Sequence, residues 1–138
     1  MDLTTALEYV RARDHGVLAT LKTDGRPQLS NVNHSVGDDG VVRISITGDR
    51  AKYRNLVRDP RVSYHVTAED FWSYVVLEGT ADLTPIAAAP DDATVAELVD
   101  LYRAVQGEHP DWDDYRRAMV DDRRVVLRIH PDRAYGMA

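Results

Sequence analysis

Cysteine is absent from the 138-residue chain. That one gap removes disulfides, thiolate nucleophiles, cysteine-ligated zinc and cysteine-held iron–sulfur clusters together. Basic residues are in deficit as well, with 17 Lys and Arg against 23 Asp and Glu, a net charge of −6. An acidic chain lacks the general pull toward nucleic acid, and no basic stripe with interleaved aromatics supplies a local one. No apolar run nears the ~20 residues that a membrane span requires. The start, Met1-Asp2-Leu3-Thr4-Thr5, has neither a basic n-region nor an apolar core. No signal peptide is therefore visible, and a cytoplasmic location is expected.

Several chemical motifs are missing too. There is no G-x-G-x-x-G and no alternation of strands with helices, so a dinucleotide-binding fold is not expected. The histidines, His15, His34, His65, His109 and His130, never fall into H-x-H or H-E-x-x-H spacing. No metal site is expected from them. A G-x-S-x-G elbow is also lacking, which removes the support for a hydrolase triad. No internal repeat, linker or low-complexity segment interrupts the chain.

What is present reads as one globular domain over residues 1–138, with 43% hydrophobic and 29% charged residues. Leu3, Leu7 and Val10 have helical spacing behind Asp2, predicting a helix over 2–14 that Gly16 ends. A strand is expected over 17–22. Thr23-Asp24-Gly25-Arg26 then marks a turn, so 27–36 should pair back as a hairpin. After Gly37-Asp38-Asp39-Gly40, residues 41–47 alternate, with Val42, Ile44 and Ile46 on one face.

A short helix over 51–58 stops at Asp59-Pro60. Strands are predicted over 61–67 and 72–83, the latter with a bulge at Gly79. Val95, Leu98, Val99, Tyr102 and Val105 share one face of a further helix behind Asp91-Asp92. Trp112, Tyr115 and Met119 do the same on a helix starting near Asp111. A last strand covers 124–130, with Tyr135 and Met137 in the tail. The result is a mainly β fold with helices (α+β), its six antiparallel strands closing into a small barrel that leaves no exposed edge.

Two segments offer chemistry. In the second strand, Gln28, Ser30, Asn31, Asn33, His34 and Ser35 put polar groups on both faces. These could bond the polar edge of a flat heterocycle, or simply mark a solvated edge strand. At the end of the third strand, Thr47-Gly48-Asp49-Arg50-Ala51-Lys52 brings two cations to a helix N-terminus, where an anion is favoured. Arg50 can grip a phosphate bidentately and Lys52 can add a point charge. The alternative is a solvated basic face, since Arg50, Arg54 and Arg58 are spaced four apart. Phe71, Trp72 and Tyr74 could stack on a ring, pack at a subunit interface or enter the core.

Together these segments resemble the pyridoxamine 5′-phosphate oxidase-like split barrels. Gly16-Val17-Leu18-Ala19-Thr20 and Asp24-Gly25-Arg26-Pro27-Gln28-Leu29-Ser30-Asn31 are similar to that family's first hairpin. Arg50-Ala51-Lys52, Asn55-Leu56 and Arg58-Asp59-Pro60-Arg61 resemble its phosphate-binding segment. Trp72-Ser73-Tyr74 and Glu78-Gly79-Thr80-Ala81 follow in the same order. Asp111-Trp112-Asp113-Asp114-Tyr115-Arg116 and the ending Tyr135-Gly136-Met137 resemble the actinobacterial deazaflavin-dependent branch, the F420-dependent oxidoreductases of the B type.

The resemblance implies a six-stranded split barrel of the FMN-binding type. It also implies a homodimer with cofactor sites at the subunit interface. It assigns the cofactor phosphate to Arg50 and Lys52, in a segment that includes Ala51 and Asn55. The ring edge and its neighbours fall to Gln28, Leu29, Ser30, Asn31, Ser45 and Thr47, with Trp72 and Tyr74 approaching from the other subunit. The implied activity is hydride transfer from reduced coenzyme F420 to a small organic acceptor. Its proton would come from Tyr64, His34, Tyr135 or water. Two alternatives are an FMN-dependent oxidase or reductase and a non-catalytic carrier of F420 or another phosphorylated ligand. The arginine-rich substrate segment and Arg-Leu-Ala-Pro tail of the oxidase itself are not matched.

Overall fold

A computed structural model describes residues 1–138. The chain order is α1 (Leu3–Arg11), β1 (His15–Leu21), β2 (Pro27–Asn33), β3 (Ser35–Val36), β4 (Val42–Thr47), α2 (Ala51–Arg58), β5 (Arg61–Thr67), β6 (Tyr74–Leu83), α3 (Ala93–Gln106), α4 (Trp112–Asp121) and β7 (Arg124–Met137). All strands join one antiparallel sheet in the order β2-β1-β5-β6-β7-β4-β3. The sheet curls as a split barrel. Its two ends, β2 and the β3–β4 pair, carry no ladder bonds to each other, and their meeting line is the split.

The strands form where alternation demands them. On β4, Val42, Ile44 and Ile46 are buried while Arg43, Ser45 and Thr47 stay half-buried on the other side. With Leu18, Tyr64, Val66, Val75, Leu77, Leu127 and Ile129 they fill the barrel, and α1 adds Ala6 and Val10. A second cluster joins α3 and α4 to Val126 of β7, through Val95, Leu98, Val99, Tyr115 and Met119. The helical pair therefore lies on the outer side of β4 and β7. No helix is long and apolar enough to cross a membrane.

Some boundaries differ from expectation. The first helix ends at Ala12, whose N–H returns to Glu8 and Val10 carbonyls. Gly16 lies within β1, not at the helix end. A Cβ there would stand 2.6 Å from the His65 carbonyl oxygen and 2.9 Å from the Tyr64 ring, so the glycine serves close packing. The second strand breaks at His34, which turns its ring inward and is 1% exposed. That break makes β3 a separate strand, the seventh of the sheet. The last strand runs on to Met137 and carries Tyr135 with it. The bulge at Gly79 is present as a register shift between Glu78 and Gly79.

Candidate functional site

A cleft of about 580 Å³ opens along the split. The edge of β2 forms one side with Asn31, Val32 and Asn33, and β4 forms the floor with Ser45, Ile46 and Thr47. The α3–α4 pair supplies an apolar wall that includes Leu101, Tyr102 and Met119. Arg50, Lys52 and Arg124 face the same space. It thus joins a charged corner, a polar edge and an apolar wall, the usual make-up of a small-molecule site.

The charged corner is built by three elements. Arg50 is the N-cap of α2, in extended conformation, and no side chain caps that helix. The N–H groups of Arg50 and Tyr53 are already bonded to the Thr47 and Arg50 carbonyls, so those of Ala51 and Lys52, with the positive dipole end, are left for an anion. Arg54 and Arg58 turn elsewhere: Arg54 donates to the Asp49 carbonyl at 2.8 Å, and Arg58 donates to the Leu21 carbonyl. Of the three arginines spaced four apart, Arg50 alone lines the cleft.

Arg124, the first residue of β7, stands across from Thr47 in the β4–β7 ladder. Its Nη1 donates a long 3.4 Å bond to Ser45 Oγ. Its Nε is buried without any hydrogen-bond partner, and the nearest carboxylate, on Asp122, stands 4.0 Å away. Burial lowers the Lys52 pKa, and the neighbouring charges of Arg50 and Arg124 lower it further. Like charges gathered in a partly buried corner without a bonded counter-ion repel one another and lose solvation. A bound anion removes that cost.

The structure gathers Asn31, Ser45, Thr47, Arg50 and Lys52 into this cleft, with Ala51 beside them as the first residue of α2. The remaining sequence candidates do not line this cleft within the one chain. Gln28 and Asn55 belong to an interior network. Asn55 Nδ2 donates to Thr20 Oγ1 at 3.1 Å, Thr20 donates to Gln28 Oε1 at 3.3 Å, and Gln28 Nε2 donates to Ser30 Oγ at 3.2 Å. These bonds tie α2 to the first hairpin. Leu29 points outward, 63% exposed. Trp72 is 75% exposed and packs edge-on against Phe71. Tyr74 stacks on His65 on the outer face of the sheet.

Two suggested proton sources are also displaced. The ring of His34 is held at both nitrogens: Nε2 donates to the Val10 carbonyl at 2.8 Å, and Nδ1 meets the Tyr64 hydroxyl at 2.5 Å. Because a carbonyl can only accept, the N–H sits on Nε2 and Tyr64 is the donor to Nδ1. Both side chains are fully buried. Burial lowers the His34 pKa and raises that of Tyr64. They form a structural pair that cannot reach a ligand in the cleft. Arg124, Tyr102 and Met119 were missed from sequence as site residues. They sit far along the chain from Arg50, and only the Arg123-Arg124 doublet hinted at charge there.

A family model described as pyridoxamine 5′-phosphate oxidase matches residues 4–138. Among solved structures, one titled F420 Reductase is 27% identical, with a TM-score of 0.69, over 93% of this chain and 94% of that one. The conserved hypothetical protein Rv2991 from Mycobacterium tuberculosis is 26% identical, with a TM-score of 0.71, over 97% of this chain and 82% of its own. HutZ, the heme storage protein from Vibrio cholerae, is 17% identical and shares the fold, with a TM-score of 0.69 over 99% and 95% of the two chains.

Proposed function

The chain belongs to the pyridoxamine 5′-phosphate oxidase family, and we propose that it binds coenzyme F420 in the cleft at the split of its barrel and serves hydride transfer to a small organic acceptor. The observation that carries this reading is the convergence of Arg50, Lys52 and Arg124 on one cleft, with the Arg124 Nε buried and unpartnered. That corner fits a phosphate, and the apolar wall opposite fits a flat ring. The likeness to the structure titled F420 Reductase supports the choice of a deazaflavin. When bound, the deazaflavin supplies two-electron hydride chemistry. The side chains bind, orient and exclude water. Arg50, Lys52 and Arg124 hold the phosphate. Asn31 and Ser45 offer hydrogen bonds to the polar edge, and Leu101, Tyr102 and Met119 keep water from one face.

We also propose that the protein works as a homodimer. The outer face of the sheet carries exposed apolar side chains around Trp72, Tyr135 and Met137, close to the stacked His65–Tyr74 rings. A second copy seated there would cover them and close the neighbouring site.

Parallel fluorescence and absorbance titrations with oxidised F420 and FMN test the cofactor assignment. F420 is expected to bind in the micromolar range or tighter, and more tightly than FMN. Charge-assisted hydrogen bonds contribute roughly 1.5–3 kcal/mol each. Replacing Arg50 and Lys52 together by alanine should therefore weaken binding by two orders of magnitude or more. An unchanged affinity in the double variant would remove the phosphate corner from the site. Tighter binding of FMN would replace the deazaflavin with a flavin.

A further inference from the structure

The chain carries two lysines, Lys22 and Lys52, and their settings differ. Lys22 is exposed in the turn that follows β1. Lys52 lies half-buried in the first turn of α2 and lines the cleft together with Arg50 and Arg124. No carboxylate lines that cleft. Asp49, next to Arg50 in the chain, is engaged by the Thr47 hydroxyl at 2.5 Å. Burial and two like charges act on the Lys52 ammonium group, and no hydrogen bond offsets them.

That setting makes an amine reactive. Burial first, and then the charges of Arg50 and Arg124, hold the Lys52 pKa below the ordinary lysine value. More of the side chain is therefore free amine, the nucleophilic form, at neutral pH. The same two guanidinium groups favour a phosphoryl group in the space that the amine shares. A reagent that joins a phosphoryl group directly to an electrophilic carbon then brings that carbon to the amine. An acyl phosphate has this make-up, and Ile46 and Met119 offer apolar surface to its acyl part.

We propose that Lys52 is a self-acylation site: an acyl phosphate enters the cofactor-free cleft, is held by its phosphoryl group at Arg50 and Arg124, and transfers its acyl group to Lys52. The amine nitrogen attacks the carbonyl carbon and forms an amide. The bond from that carbon to the bridging oxygen breaks, and inorganic phosphate leaves with the electron pair. The surplus proton on nitrogen passes to water. The amide carries no charge, so acylation removes one of the three cations of the corner. Its effect on the cofactor rests on the function proposed above, whereas acylation itself does not.

Acetyl phosphate is the probe, added to the full chain and read by peptide mass spectrometry, with Lys22 as the internal reference. Lys52 should be acetylated at least tenfold faster than Lys22. Excess inorganic phosphate should slow Lys52 and leave Lys22 unchanged. N-acetoxysuccinimide, a neutral acylating ester without a phosphoryl group, should show a smaller preference for Lys52. Arg124→Ala should bring the Lys52 rate down toward that of Lys22, and Arg50→Ala provides a second variant if the first does not fold. Equal rates at the two lysines of the wild-type chain, no effect of inorganic phosphate, or the same preference with the neutral ester would overturn the site. Acetylated protein should bind F420 about tenfold more weakly, the effect of one lost charge-assisted contact. F420 bound without selective acetylation removes the acylation site and keeps the cofactor. Selective acetylation without F420 binding removes the cofactor and keeps the acylation site.

Discussion

Arg124 shows how one side chain can mark a site. Its guanidinium lies in a cleft beside two other cations, and its Nε lacks a partner. Arg124→Ala should lower F420 affinity by tenfold or more, measured by fluorescence, because about 1.4 kcal/mol of lost interaction is a factor of ten. Added salt should weaken wild-type binding more than binding to the variant. His34 makes the opposite case, a buried titratable group whose role is stability. The unfolded chain takes up a proton near the ordinary histidine value of 6.5, whereas the folded chain resists it because burial lowers the pKa. The unfolded state therefore binds more protons just below that pH, and stability rises with pH there. Stability from His34 is complete above about pH 7. It is lost as the pH falls from 6.5 toward the folded value, at no more than about 1.4 kcal/mol per pH unit. Thermal melts between pH 7.5 and 5 should show this slope, and His34→Gln should flatten it.

At the scale of elements, the wall of the cleft depends on how α3 is begun and anchored. Asp92 caps it, accepting from Val95 N at 2.8 Å and from the loop amides of Ala88 and Ala89 at 2.8 and 3.1 Å. Farther along, Glu97 accepts from Arg43 Nε at 3.1 Å and from Arg128 Nε at 2.9 Å. Those arginines belong to β4 and β7, so the ion cluster clamps the helix onto the outer face of the barrel. Leu101, Tyr102 and Val105 then project into the cleft from the next turns. Asp92→Ala should cost about 1–2 kcal/mol in urea unfolding, at the upper end for a cap because two loop amides lose their acceptor as well. A variant as stable as wild type would show that water replaces the carboxylate without loss.

At the scale of the whole molecule, the outer face of β6 and β7 holds the apolar surface that the barrel does not bury. Tyr74 pairs with Met137 and Val76 with Tyr135, on the same side as His65 and Thr67. Trp72 and Met137 are 75% and 67% exposed. Apolar groups clustered on one face commonly mark a contact surface. Sedimentation should report a species of twice the 15.5 kDa chain mass. Trp72→Asp combined with Met137→Asp should shift it to the single chain. A wild-type protein that sediments as one chain would exclude the homodimer.

Local features made most elements legible in the sequence. The range of α2, the bounds of β5, the turn at Gly25 and the bulge at Gly79 all follow from spacing, turn residues and proline, which act within a few residues. The same locality explains why Arg50 and Lys52 were visible as an anion corner: they flank one helix start. Arg124 and the apolar wall were not legible, because they arise only when the sheet curls and brings β2, β4 and the α3–α4 pair together. The tertiary structure also placed away from the cleft some residues that local reading had offered. Gln28 and Asn55 became internal ties, and His34 with Tyr64 a sealed pair. Polarity along a strand does not say which side of a closed barrel it will face, and that choice separated the interior network from the site.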